Sequence, residues 1–173
     1  LWVGTTSGLD MLDVKNGVFI HYSLGLEDNN SESYTISGLC DDQEGNIWVG
    51  TSAEGLFKLN PKTAELVHFS FDRTDLSSLI SNNIRGITPA DNGSFWIATT
   101  SGLNYFMPSK GTFIRYQHST EDPDTLSDNR IRIMTLDPYG NLWLGTMAGL
   151  DYFNTTTREF THFTHDSLDP KSL

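Results

Sequence analysis

The chain has 173 residues, with 11 Lys and Arg against 22 Asp and Glu, so its formal net charge at neutral pH is −11. This length suits about one domain, and a content of 37% hydrophobic and 12% aromatic residues excludes a disordered acidic tail. The charge argues against a nucleic-acid partner, and no apolar run reaches the roughly 18 residues of a membrane span, so direct membrane insertion is not expected.

A repeat of about 47 residues runs through the chain, and it is the main signal for the fold. Two of its columns hold tryptophan and glycine in every unit. They are Trp2, Trp48, Trp96 and Trp143, and Gly8, Gly55, Gly102 and Gly149. The columns divide the chain into the predicted units 1–35, 36–83, 84–130 and 131–173, which we assign to a single propeller fragment over 1–173.

Each unit predicts four short strands in chain order. In the second unit these are residues 36–41, 47–51, 55–59 and 65–69, which are rich in β-branched and aromatic residues and are separated by Asp, Asn, Gly and Pro turns. The first unit starts at its second strand, so fifteen strands are expected. No segment carries a sustained helical period, and helix content is expected to be near zero.

Two strands, at residues 1–3 and 142–144, are apolar at consecutive positions, so both faces of their sheets must be covered. A sandwich would alternate polar and apolar residues, and a β-solenoid has a shorter period. The sequence therefore predicts an all-β fold, a β-propeller with four-stranded antiparallel blades, present as a partial propeller of nearly four blades. A small-residue column (Gly4, Gly50, Ala98 and Gly145) is expected to let neighbouring blades approach closely.

The chain opens at Leu1 without an initiator Met, which suggests a piece of a longer protein. A closed four-bladed ring with one three-stranded blade is one interpretation. An arc of a larger propeller, whose other blades lie outside these residues, is the interpretation that we favour.

The sequences GNIWVGT at 45–51 and GNLWLGT at 140–146 resemble the two-component regulator propeller repeat. The resemblance extends over essentially the whole chain, and Gly-His, Trp-Asp and Gly-Gly marks of other propeller repeats are lacking. The third unit departs from the pattern, with Ala90 in place of the turn Asp and Ala98 in place of a Gly.

The resemblance implies a non-catalytic sensor module from the periplasmic or extracellular region of a bacterial signal-transduction receptor. It further implies an oligosaccharide or other small extracellular ligand, with more blades, downstream signalling domains or a second protomer as partners. The parent protein would carry its kinase or cyclase elsewhere.

Two other functions stay open. One is a protein-interaction scaffold that binds through acidic loops, and the other is a propeller-based polysaccharide lyase or glycosidase. Motifs for a nucleophile elbow, a zinc protease or a P-loop are lacking in the sequence, so we assign no catalytic residue, metal site or cofactor.

The candidate ligand-binding residues are those that break the repeat near the predicted channel: Arg85, Arg130, Arg132 and Tyr34. A guanidinium can bind sugar hydroxyls or a carboxylate in a fork, although pairing with a loop carboxylate is the plainer interpretation in so acidic a chain.

Other polar groups are expected to be structural. One column on the outermost strand is interpreted as a solvated edge: His21, His68, Arg115 and His162. The acidic stretches at 27–32, 72–75 and 121–124 are interpreted as solubilising turns, with a cation between neighbouring loops as the alternative. The tryptophans are expected in the core between blades, and Cys40 as a small buried hydrophobe.

Overall fold

The computed structural model describes residues 1–25 and 34–173, and it confirms the all-β prediction. In this described part, fifteen strands form four antiparallel sheets, which we number blades 1 to 4. Blade 1 holds β1 (Trp2–Thr5), β2 (Gly8–Asp13) and β3 (Val18–Tyr22). Blade 2 holds β4 (Ile36–Asp41), β5 (Ile47–Thr51), β6 (Leu56–Asn60) and β7 (Glu65–Phe69). Blade 3 holds β8 (Ile84–Pro89), β9 (Phe95–Thr99), β10 (Gly102–Met107) and β11 (Thr112–Tyr116). Blade 4 holds β12 (Ile131–Leu136), β13 (Leu142–Thr146), β14 (Leu150–Phe153) and β15 (Phe160–Phe163).

Each strand pairs with its neighbours in sequence, so every blade is an up-and-down meander. β1 is equivalent to β5, and blade 1 therefore has three strands among the described residues. The inner strands β4, β8 and β12 lie side by side, and β1 packs against β4 as β5 packs against β8. The sheets thus follow one another around an axis, as predicted for a propeller.

The hydrophobic core lies between successive blades. Leu9 of blade 1 shares a cluster with Val49 and Phe57 of blade 2. Trp48 of blade 2 shares a second cluster with blade 3, and Trp96 of blade 3 shares a third cluster with blade 4. Because each core needs two blades, neighbouring blades stabilise one another.

The small-residue column lies at the closest approach of the blades. A Cβ at Gly4 would lie 2.5 Å from Ile36 Cγ2, and one at Gly50 would lie 2.7 Å from Ile84 Cγ2, both on the next inner strand. At Gly145 the equivalent Cβ would meet only Ile133 of the same blade. The predicted role of the column is therefore confirmed for the interfaces of blades 1–2 and 2–3.

The linkers into blades 3 and 4 are fixed by buried groups. Leu79 and Leu126 are fully buried in the cores between blades 2 and 3 and between blades 3 and 4. The residue after Leu126, Ser127, donates its backbone N–H to Oδ2 of the buried Asp151 at 2.9 Å. Asn104 accepts the equivalent bond in blade 3 at 3.1 Å. Each linker is therefore part of the blade that follows it.

The predicted core tryptophans differ in burial with their position in the arc. Trp48 and Trp96 are buried, whereas Trp2 and Trp143, in the first and last blades, are half-buried. Cys40, expected to be buried, is half-buried, and burial raises the pKa of its thiol to about 11. In the described residues, no helix is long and apolar enough to cross a membrane.

Candidate functional site

Arg85 and Arg132 lie at equivalent positions near the starts of β8 and β12. In both strands the register with the next strand shifts at the arginine, which marks a β-bulge. Both side chains are exposed, and Arg132 Nε lies 3.1 Å from Met147 Sδ. The two residues share a position in neighbouring inner strands, and their binding role stays a prediction.

The other two predicted binding residues make contacts within the chain. Arg130 donates from Nε and Nη2 to Asp128 at 3.0 and 2.7 Å, and these bonds hold the pKa of the Asp128 carboxyl at about 2. The Tyr34 hydroxyl accepts the backbone N–H of Leu24 at 3.0 Å. The donors of Arg130 are therefore engaged by a loop carboxylate, and Tyr34 fixes the end of blade 1.

The interpretation of Arg115 as a solvated-edge residue is wrong. Its guanidinium donates to three backbone carbonyls in the loop before blade 3, those of Asp75 (2.9 Å), Ser78 (3.0 Å) and Leu79 (3.2 Å). Five donors in a fixed fork suit such a cluster of acceptors. Arg115 therefore holds the linker against the outer strand of its own blade.

His162, in the same column of blade 4, has a related role. Its Nδ1 lies 2.9 Å from Asp151 Oδ1, and its Nε2 lies 3.1 Å from the Pro123 carbonyl in the loop before blade 4. Burial lowers the pKa of His162, but the bonds to Asp151 and Pro123 outweigh it, and the pKa is raised. In blades 1 and 2, His21 pairs with Asp10 and His68 with the Glu54 carbonyl, and both residues stay exposed at the edge, as predicted.

The described acidic loops are turns, as predicted. Asp72 accepts hydrogen bonds from the N–H and hydroxyl of Thr74, and Asp75 accepts the same pair from Ser77; these bonds lower the pKa of both carboxyls. The stretch at 27–32 lies outside the described residues. Within residues 1–25 and 34–173, no group of three or more His, Cys, Asp or Glu side chains could hold a metal ion.

A polar groove of about 320 Å³ opens between blades 3 and 4. It lies where β8 and β12 end, so it is at the opposite end of these strands from Arg85 and Arg132. Six polar or aromatic residues line it: Asp91, Trp96, Tyr105, Thr155, Thr156 and Arg158. The Arg158 guanidinium lies over the rings of Trp96 and Tyr105, with its Cζ 5.1 Å from each ring centroid. The groove thus joins a cation, aromatic faces and hydroxyl groups, and sequence reasoning missed it.

The equivalent groove between blades 2 and 3 is acidic. Asp42 and Glu44 line it together with Lys58, which lies 5.5 Å from the Trp48 centroid. Asp42 Oδ2 accepts the indole N–H of Trp48 at 3.1 Å. Burial opposes ionisation of Asp42, but hydrogen bonds from Asn46 and Trp48 outweigh it and lower its pKa. The charged residues of this groove therefore carry one net negative charge, whereas Asp91 and Arg158 balance each other in the groove between blades 3 and 4.

Comparison with known sequences identifies the repeat. Residues 30–53, 78–101 and 125–148 match the model of the two component regulator propeller, and each match contains one of the column tryptophans. Together the matched segments are less than half of the chain. The resemblance stated from sequence is therefore confirmed. No curated protein sequence matches the chain.

Solved structures show the same fold. The extracellular domain assigned to a hybrid two component system of B. thetaiotaomicron is 24% identical with a TM-score of 0.60, over 92% of this chain and 28% of that one. Virginiamycin B lyase from Staphylococcus aureus, solved as an inactive variant with quinupristin, is 14% identical with a TM-score of 0.67, over 94% and 50%. PorZ, a surface component of the type-IX secretion system of Porphyromonas gingivalis, is 22% identical with a TM-score of 0.64, over 90% and 23%. This chain thus spans half or less of each structure, and the likenesses establish the propeller fold.

Proposed function

Because the chain carries repeats of the two-component regulator propeller family, we propose that it is a non-catalytic sensing segment of a bacterial signal-transduction receptor. The three repeat matches are the observation that carries this proposal. A structural neighbour described as the extracellular domain of a two-component system supports it. The ligand class that we propose is an oligosaccharide or another small extracellular signal.

We place the segment in the periplasm or outside the cell. Alkaline phosphatase needs disulfide bonds that form only in oxidising compartments, so it reports location when fused to a protein segment. In the receptor encoded by the complete gene, a fusion directly after Leu173 is expected to be active. An inactive phosphatase there, with an active cytoplasmic reporter at the same position, would overturn the proposed location.

We further propose that another blade covers the face of blade 4 that points away from blade 3. Apolar side chains on this side are exposed, with Ile133 at 67%, Met147 at 47% and Phe163 at 43%. The equivalent face of blade 2 is covered by Ile84 of the next blade at Gly50. An arc of a larger propeller therefore accounts for the face better than a closed ring does.

Sensing is tested by ligand-induced stabilisation. A ligand that binds only the folded state at 100 times its Kd raises the free energy of unfolding by about 2.7 kcal/mol. Melting the propeller region against a panel of neutral and acidic oligosaccharides is expected to show at least one such ligand, without turnover of it. No stabilisation by any saccharide would refute oligosaccharide sensing, and turnover would favour the lyase or glycosidase alternative.

The scaffold alternative is supported by the net charge of −11. A partner held by exposed acidic loops should dissociate as salt rises, because such charges are screened beyond about 8–10 Å. Capture of a salt-sensitive protein partner, with no saccharide bound, would favour the scaffold over the sensor.

A further inference from the structure

Two departures from the repeat meet at the groove between blades 3 and 4. Ala90 stands where blades 2 and 4 have Asp42 and Asp137 in the same turn, and it lines the groove. Arg158 stands where blades 1 and 3 have glycine, at Gly17 and Gly111, and it lines the groove from the other side. Two changes on different blades therefore remove one carboxylate and add a positive charge at a single recess, in which Asp91 is the remaining carboxylate.

Arg158 occupies a backbone conformation that favours glycine. Its φ is 67°, close to the 69° of Gly17 and the 65° of Gly111. A left-handed conformation at a residue with a Cβ is strained, and such strain collects at functional sites. Arg158 is exposed, and from this backbone position its guanidinium lies over Trp96 and Tyr105.

The guanidinium has no acidic partner within the described residues, although the chain is strongly acidic. The ion pairs found there involve His21, Arg130 and His162. Burial raises the pKa of the nearby Tyr116, and the charge of Arg158 partly offsets this effect. A guanidinium has five N–H donors, so Arg158 keeps donors for a planar acceptor such as a carboxylate beside its contact with the Tyr116 hydroxyl.

Trp96 adds a second donor at the same place. Trp48 gives its indole N–H to Asp42, but Ala90 removes that acceptor in blade 3, and no hydrogen bond is made by the Trp96 N–H within the described residues. The fully buried side-chain atoms without partners in that part of the chain are Asn83 Oδ1 and Asn104 Nδ2, so the Trp96 N–H is not sealed from solvent.

We propose that this groove binds the carboxylate of an acidic sugar, with Arg158 and the Trp96 N–H as donors. The Asp91 carboxylate and the Thr156 hydroxyl line the same recess and suit the hydroxyl groups of a sugar ring. A volume of about 320 Å³ is at the low end of ligand pockets and fits one sugar unit. This inference rests on the proposed sensing function and names the ligand class of that function.

The test is a titration of the 173-residue chain with glucuronate, glucose and acetate, followed by NMR at the indole N–H of Trp96 and Nε–H of Arg158. Glucose lacks the carboxylate, and acetate lacks the ring and its hydroxyls. Arg158→Gly and Ala90→Asp each restore a residue that the repeat uses elsewhere, so both variants are expected to fold. Ala64→Gly is the matched control, since Ala64 has a φ of 59° at the same repeat position but lies in blade 2.

Saturable shifts with glucuronate alone are expected. Arg158→Gly and Ala90→Asp should each weaken binding by more than about tenfold, because a charge-assisted bond is lost or opposed, while Ala64→Gly should leave it unchanged. Equal binding of glucuronate by Arg158→Gly, equal affinity for glucose or acetate, or no saturable binding would each overturn the inference.

These results are separable from the sensing proposal. Stabilisation by a different saccharide, with no glucuronate bound, would refute the assignment of an acidic sugar to this groove and would still support the sensing proposal. Glucuronate bound at the groove in the complete receptor, with no change in signalling output, would support the groove and refute its sensing role.

Discussion

Replacing Gly50 with alanine tests how closely the blades pack. A Cβ at position 50 would lie 2.7 Å from Ile84 Cγ2 and 3.1 Å from Ile87 Cδ1, and Ile84 is fully buried. Such distances force Ile84 or its blade to move, at a cost of about 1–3 kcal/mol. The reduced freedom of alanine in the unfolded chain offsets about 0.4–1 kcal/mol of this cost. We expect Gly50→Ala to lower the free energy of unfolding by about 1–2 kcal/mol.

Gly145→Ala is the matched control in the last blade. Its Cβ would lie 2.8 Å from Ile133 Cγ2, but Ile133 is 67% exposed and is free to change rotamer. In the chain of 173 residues, where no further blade covers Gly145, the expected effect is therefore between none and a small stabilisation. Urea unfolding, followed by tryptophan fluorescence, measures the free energy of unfolding of both variants. In a thermal melt, a loss of each kcal/mol would lower Tm by about 2–4 °C. Equal destabilisation by the two substitutions would refute the close packing of blades 2 and 3 at Gly50.

Three further predictions concern the core, a carboxylate and a linker. Trp96→Ala should lower the free energy of unfolding by about 3–5 kcal/mol, and Trp143→Ala by clearly less, because Trp143 is half-buried; equal losses in urea unfolding would contradict the assigned burial. Asp128 should titrate near pH 2 by carbon NMR, with a midpoint that Arg130→Ala moves up toward about 3.9. Since folding lowers this pKa, the stability that the pair contributes is present at neutral pH and is lost as the pH falls from about 4 toward 2. Arg115→Lys keeps the positive charge but loses the guanidinium N–H donors that bind three loop carbonyls. Limited proteolysis should therefore cut the loop before blade 3 faster in this variant than in the original chain. An unchanged rate would mean that the guanidinium does not hold the loop.

The fold was predictable because equivalent residues in each repeat make the same kinds of packing contact. The tryptophan column predicted the cores between blades, and the column of Gly4 and Gly50 predicted their close approach. The repeat could not show how much of each tryptophan is buried in the first and last blades. Trp143 matches Trp48 in sequence, yet it is less buried because no following blade packs on it among the described residues, and Trp2 is also half-buried although blade 2 follows it.

The candidate site was less accessible to sequence reasoning. Arg85, Arg130 and Arg132 break the repeat near the axis, and pairing with a loop carboxylate, the plainer interpretation from sequence, is found for Arg130 with Asp128. The sequence shows Ala90 as a missing turn aspartate, but it does not show that Ala90 lies close to Arg158. The two are 68 positions apart and meet only because a hairpin turn of one blade lies beside a turn of the blade before it.

Leu79 and Leu126 lie in linkers between repeats, and each of them packs in a core that two neighbouring repeats form together. A gene duplication of any stretch one repeat long, wherever its ends fall, therefore copies a linker leucine together with both sides of an interface. Such a chain can gain or lose whole blades during evolution without inventing a new interior. A new binding surface then arises from substitutions in a single copy of the repeat. The turns that hold Ala90 and Arg158 are places where such substitutions change a groove while the core between blades stays the same.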